Sequence, residues 1–159
     1  MPEELSSSAQ KIQDALAALG LSLEVVELPA STRTAQEAAQ AIGCGVAQIV
    51  KSLVFKGSRS RRAILVLVSG SNRVNEARLG ELAGEPVEKA DADFVRQHTG
   101  FVIGGVPPLG HPEPLLTFVD EDLLTFPEIW AAAGTPRAVF RLGREDLGRI
   151  TQGTIARIT

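Results

Sequence analysis

Apolar positions along this chain switch repeatedly between helical and alternating spacing. Ile12, Leu16 and Leu19 stand at i, i+4 and i+7, which predicts a helix over Ser6–Leu19 stopped by Gly20. Residues 23–28 read as a strand ended by Pro29. Thr34 followed by Glu37 has the capping-box spacing and opens a helix that runs to Ile42, with Gly43 as its stop. The β-prone runs 49–55 and 63–69 flank a polar tip and predict a hairpin. Beyond a turn at 69–73, the pattern predicts a helix over 75–83, a brief strand at 87–89 and a helix over 91–99. A strand at 115–120, a helical turn at 128–133, a strand at 138–142, a helix over 144–150 and a strand at 154–158 complete it. Helices and strands mix without a strict βαβ rhythm, and the first clear strand pair is a hairpin. The expected fold is therefore α+β, with a mixed, largely antiparallel sheet.

Length and composition narrow this picture. The 159 residues are expected to form one domain, 1–159. Apolar residues make up 44% of the chain, enough for a continuous core, and with no Tyr and one Trp that core must be aliphatic. A net charge of −3 gives no general affinity for nucleic acid. The segment KGSRSRR nevertheless gathers Lys56, Arg59, Arg61 and Arg62 at the hairpin tip. Such a tip either touches phosphates or is a solvated turn. The lone Cys44 lies between two glycines, reads as a small buried or turn residue, and fits a reducing compartment. The polar, acidic start is unlike a signal peptide, and no apolar run approaches the ~20 residues of a membrane helix. A cytoplasmic location without membrane contact is expected.

The segment from Gly100 to His111, GFVIGGVPPLGH, holds four glycines and two adjacent prolines after an apolar run. Glycine supplies positive φ and proline fixes φ, so together they specify one unusual backbone shape. Such a loop can point bare N–H groups at a ligand; it can equally be a rigid turn at a strand end. Lys51, in IVKSLVF, faces solvent or a pocket, since a lysine is rarely buried unpaired. Lining a pocket, it would offer a positive charge to a carboxylate, a phosphate or a developing oxyanion. His98 and His111 lack metal-ligand spacing, so no metal is expected, and Asp120 with Asp122 reads as the cap of a turn. Neither G-x-G-x-x-G nor the P-loop pattern occurs, and no cofactor is expected.

Taken together, TRTAQEAAQAIG, QIVKSLVF, LVLVSGSNRVN, TGFVIGGVPPLGH and WAAAGTPRAVFRL occur in an order that resembles the YbaK/ProX/EbsC family. These are free-standing relatives of the editing domain of bacterial prolyl-tRNA synthetase, and the likeness runs from about Leu16 to Ile158. It implies a barrel-like mixed sheet with surrounding helices, and hydrolysis of the ester that joins a wrong amino acid to the tRNA 3′ end. The family's strand lysine matches Lys51, and its Gly-x-x-Pro loop matches Gly105 to Pro108, with Gly104 just before. On this reading, the N–H groups of Gly104, Gly105 and Val106 donate to the oxyanion, and Lys51 binds phosphate or offsets charge at the ester. Ser69, Gly70, Phe101, Pro107, Pro108, Ala133 and Gly134 form the substrate-binding wall of the pocket, and Thr34 adds a helix N-terminus. Lys56, Arg59, Arg61 and Arg62 gain a role at the acceptor stem. The implied partner is mischarged tRNA, with a synthetase as a second; no DNA-reading helix is present. A rival reading keeps the same pocket as a non-catalytic module for an aminoacyl-adenylate-like ligand, a nucleotide or a synthetase. Ala132, Ala133 and Val139 replace the marks of the cysteinyl-specific branch, and Ser52 replaces the Asn of the alanyl-specific branch, so neither specificity carries over.

Overall fold

The computed structural model describes residues 5–159; the first residues of the polar start, and of the expected range 1–159, lie outside the described residues. Ser6 caps α1 (Ser7–Ala18) through its hydroxyl, which accepts from the Ala9 N–H, and α1 buries Ile12 and Leu16. The expected strand at 23–28 is shorter, β1 (Val25–Glu27). Thr34 caps α2 (Ala35–Ile42) by accepting from the Glu37 N–H, and Gly43 closes it in the left-handed region. The hairpin follows as β2 (Ile49–Gly57) and β3 (Ala63–Ser69), in antiparallel register from Val50 opposite Ser69 to Lys56 opposite Ala63. Next come α3 (Glu76–Ala83), β4 (Val87–Lys89), α4 (Ala92–Thr99) and β5 (Leu116–Asp120). The chain ends with β6 (Glu128–Ala132), β7 (Ala138–Gly143), α5 (Arg144–Ile150) and β8 (Thr154–Ala156).

One mixed sheet carries all eight strands found among the described residues, in the path β1-β7-β6-β2-β3-β5-β8, with β4 also on β2. This is the α+β architecture that the sequence pattern implies. All seven residues of β3 are buried. Leu65 and Leu67 pack with Leu16 and Phe140 on one face, while Ile64, Val66 and Val68 pack with Leu79 and Ile158 on the other. Each leucine so buried stabilises the fold by roughly 1.5–3 kcal/mol.

The expected helical turn at 128–133 is instead strand β6, paired antiparallel with β7 and parallel with β2. The alanine-rich run Trp130 to Ala133 favours helix by propensity. Burial of Ile129 and Ala131 on one face, alternating with exposed Glu128 and half-buried Trp130, decides for strand.

Pairing on β2 is interrupted in a way that matters for the site. On the edge away from β3, β6 is in register only with Ile49 and Val50, and β4 only with residues 55–57. Between them, the Ala90 N–H reaches the Val54 carbonyl at 3.3 Å. Lys51, Ser52 and Leu53 face a gap in the sheet.

Candidate active site

Lys51 projects from β2 at this gap. Its Nζ donates to the Asn72 carbonyl at 2.6 Å. Asn72 is fixed in turn, since its side-chain amide donates to Asp120 Oδ2 at 2.8 Å and to Asp122 Oδ2 at 2.7 Å. Asp120, 1% exposed at the end of β5, also accepts from the Ser69 N–H at 3.1 Å and, as the expected cap, from the Asp122 N–H at 3.0 Å. A buried carboxylate therefore shapes the turn that holds the lysine. Burial pushes the Lys51 ammonium below its ordinary 10.5; the Arg73 charge adds to this and Asp120 opposes it.

The glycine–proline loop faces Lys51 across the gap. Gly104 has φ +89°, and a Cβ there would sit 2.5 Å from Arg33 Cγ, so only glycine lets the Arg33 stem cross the loop. The Gly105 carbonyl accepts from the Gly134 N–H at 3.0 Å. A Cβ on Gly105 would press to 2.8 Å from the Thr135 backbone. His111 Nε2–H donates to the Pro107 carbonyl at 2.8 Å and closes the far side of the loop. Burial pushes the His111 imidazole below its ordinary 6.5, with the Pro107 bond opposing and the Lys11 charge adding to the shift.

One expectation needs correction. The Gly105 N–H is spent on the Val102 carbonyl at 3.0 Å and is not open to a ligand. It closes the tight turn that gives Gly104 its positive φ. Among the described residues, the Gly104 and Val106 N–H groups make no hydrogen bond. Two free amides remain where three were expected.

Lys51, Gly104 and Val106 line one cavity of about 310 Å³, together with Thr34, Gly70, Arg33 and Trp130. Gly70 admits the chain there because a Cβ would collide with the Val46 carbonyl oxygen. The first turn of α2 opens onto the same cavity, its end made favourable to anions by unpaired backbone N–H groups. Ser69, Phe101, Pro107, Pro108, Ala133 and Gly134 do not line it. Ser69 Oγ donates instead to the Ala47 carbonyl at 2.7 Å. Phe101 and Ala133 are core residues behind the loop, while Pro107 and Gly134 take part in its bracing bonds.

The basic tip lies at the other end of β2. Lys51 and Lys56 are five residues apart, about 17 Å along a strand. Arg62 pairs with Glu85 at 3.3 Å and donates to the Ala83 carbonyl at 2.6 Å; Lys56 pairs with Glu88 at 3.7 Å. Glu85 also accepts from the Ser60 and Arg59 N–H groups, and the Ser60 bond foremost holds its carboxyl down to about 2. Arg59 and Arg61 make no ion pair among the described residues.

Sequence reasoning missed Asn72, Asp120 as a brace, Arg33 and Trp130. Asn72 had a signal, standing in a Ser-Gly-Ser-Asn turn directly after a strand. Arg33 and Trp130 reach the cavity, and Asp120 reaches Asn72 behind it, only through long-range packing.

Residues 29–150 match the model of the aminoacyl-tRNA editing domain. The chain belongs to this family. The editing domain is 53% identical to a solved candidate trans-editing enzyme for prolyl tRNA synthetase, with TM-score 0.91 over 98% of this chain and 99% of that one. It is 25% identical to EbsC of Enterococcus faecalis, a candidate Cys-tRNA(Pro)/Cys-tRNA(Cys) deacylase, over 79% of this chain and 77% of the relative. It is 30% identical to the proline–tRNA ligase of Xanthomonas campestris pv. campestris over 74% of this chain, which spans only 22% of that ligase. These likenesses support a role in tRNA deacylation. No helix among the described residues is long and apolar enough to cross a membrane.

Proposed function

We propose that this editing domain, as one unit over 1–159, hydrolyses the ester of mischarged tRNA in trans, in the cytoplasm. One observation carries the reading: Lys51 lines the same small cavity as Gly104 and Val106, whose N–H groups make no hydrogen bond among the described residues. An ester carbonyl held between them meets two backbone donors positioned before reaction begins. Such donors stabilise the tetrahedral oxyanion that forms when water adds to the carbonyl carbon. Lys51 spends one N–H on Asn72 and keeps two for the substrate. Arg33 and the first turn of α2 favour the terminal phosphate, and Trp130 offers an aromatic wall to the adenine.

Among the described residues, no Asp, Glu or His lines this cavity. In this reading the substrate relays the proton: the ribose 2′-hydroxyl next to the ester accepts it from the attacking water while passing its own to the ester's ribose oxygen. Collapse of the intermediate breaks the bond between the carbonyl carbon and the ribose oxygen, which leaves with a proton. Hydrolysis also has a physical motive, because a synthetase pocket separates side chains one methylene apart by only about 1–3 kcal/mol.

A panel of tRNAs misacylated with alanine, serine, threonine or cysteine tests the reading. Turnover of at least one ester is expected. Saturable binding without turnover of any of them would instead favour the binding-module reading.

A further inference from the structure

The hairpin tip is folded around a carboxylate of its own chain. Glu85 Oε1 accepts from the consecutive N–H groups of Arg59 at 3.0 Å and Ser60 at 2.9 Å, a pairing of backbone donors that suits an anion. The other Glu85 oxygen pairs with Arg62 Nε at 3.3 Å, and the Glu85 side chain is only 8% exposed. A Cβ on Gly57 would collide with the same carboxylate, so only glycine lets the end of β2 lie against it. The Ser58 N–H donates to the Pro86 carbonyl at 2.8 Å and ties the tip to the residue after Glu85.

Held in this way, the tip sets Arg61 at φ +65°, the one non-glycine residue with positive φ among the described residues. The Arg61 N–H closes the turn on the Gly57 carbonyl at 2.9 Å. Glycine or asparagine adopts such a φ with less strain than arginine does. A side chain carried on strained backbone points to a use for that side chain. Arg61 is exposed and makes no ion pair among the described residues. Arg59 shares an open cleft with Glu76 and Glu81 and pairs with neither. Arg62 and Lys56 are engaged inside the fold, by Glu85 and Glu88.

We infer that Glu85 is a positioning residue: it holds the tip in the strained shape that presents the Arg59 and Arg61 guanidiniums to phosphates of the acceptor-stem duplex. This rests on tRNA as the partner in the reading above. Gly57, where β2 ends, lies six residues beyond Lys51, about 20 Å along the strand. The single-stranded tail of an acceptor end is only a few nucleotides long, at about 3.4 Å each when stacked. With the ester at Lys51, the tip therefore reaches past the tail to the paired stem. An acidic residue thus serves the binding of an anion, because its charge is turned inward onto the backbone and Arg62.

The test measures binding of an RNA hairpin that ends in a single-stranded CCA tail, and of the CCA trinucleotide alone, across a range of salt. Glu85→Ala removes a negative charge beside the tip, so charge alone would tighten hairpin binding. The inference expects the opposite: weaker binding, with the slope of log affinity against log salt reduced by about 0.7–0.9 or more. Arg61→Gly relieves the backbone. It should raise the midpoint of urea unfolding while reducing the slope by about 0.7–0.9, for one lost phosphate contact. Trinucleotide binding should not change in either variant. Should Glu85→Ala fail to fold, Arg61→Gly leaves every bond to Glu85 in place, and the Arg59 and Ser60 amide resonances of the unmodified protein should move with the hairpin but not with the trinucleotide. Tighter hairpin binding by Glu85→Ala, an unchanged slope in Arg61→Gly, or an equal loss for the trinucleotide overturns the inference. Deacylation of mischarged tRNA by the unmodified protein is measured separately. Turnover with unchanged slopes in the variants overturns the inference alone; reduced slopes without turnover uphold it and overturn the enzyme reading alone.

Discussion

The Lys51 ammonium donates to the Asn72 carbonyl at 2.6 Å, and Asn72 is anchored by the buried Asp120 carboxylate. The orientation of the lysine is thus set from the end of a different strand, 48 residues from Asn72 in sequence. Asp120→Ala leaves the Ser69 N–H and the Asn72 amide without their buried acceptor. It should lower stability by about 2–3 kcal/mol in urea unfolding. It should also reduce kcat more than it raises KM, because the ammonium is misplaced rather than removed. Unchanged kcat in a folded variant would show that Asp120 does not act through Lys51.

Gly104 and Gly20 provide a matched comparison. Both have positive φ, +89° and +75°, but a Cβ at Gly104 meets Arg33, while at Gly20 nothing lies within 4 Å. Either alanine substitution should cost about 1–2 kcal/mol for the left-handed backbone. Only Gly104→Ala should also slow deacylation, by tenfold or more, since the loop must shift to clear Arg33. Equal rates for the two variants would remove the loop from the chemistry.

Much of this architecture was legible in the sequence. Capping residues such as Thr34 and stop glycines such as Gly43 act locally, and the helices they bound appear within a residue or two of expectation. The hairpin was legible because β2 and β3 are continuous β-prone runs around a polar tip. β6 was not, because its alanines favour helix locally and its strand character comes from β2 and β7, distant in sequence. The site divides the same way. Lys51 and the glycine loop stand out by residue type, whereas the pairing of Gly105 with Val102, the Asp120 brace and the hold of Glu85 on the hairpin tip exist only once the chain has folded.

The pH dependence of stability follows from His111. Burial holds its pKa below the ordinary 6.5, so the unfolded chain binds a proton that the folded one resists. By linkage, this contribution is fully present above pH 6.5 and is lost as pH falls through the folded pKa. Stability measured by urea unfolding should therefore decline below pH 6.5 in the unmodified protein. His111→Gln should flatten that decline. It should also lower stability at neutral pH by about 1 kcal/mol if the Pro107 bond is lost. An identical decline in both proteins would locate the titrating group elsewhere.

Lys51 governs the alkaline limb of activity. Its folded pKa lies below 10.5, and the acting form is the ammonium. Deacylation corrected for spontaneous ester hydrolysis should therefore fall as pH rises through a break below 10.5. In any Lys51→Arg variant that keeps measurable activity, this break should vanish, because a guanidinium stays charged beyond pH 12. A break that persists unchanged would belong to another group.

At the hairpin tip, Arg59 and Arg61 are the cations not engaged in an ion pair among the described residues. If they touch the acceptor stem, replacing both with Ala should reduce the salt dependence of tRNA affinity by about 0.7–0.9 log units per log unit of salt for each lost phosphate contact. Catalysis on a short aminoacyl-adenosine ester should not change. An unaltered salt slope would make the tip a solvated turn.

Single-turnover deacylation of the preferred mischarged tRNA, by the unmodified protein and by Lys51→Ala, tests the central claim most directly. A loss of at least about a hundredfold, roughly 2.7 kcal/mol of transition-state stabilisation, is expected with the fold intact. A Lys51→Ala protein that hydrolyses the ester at the unmodified rate would contradict the account.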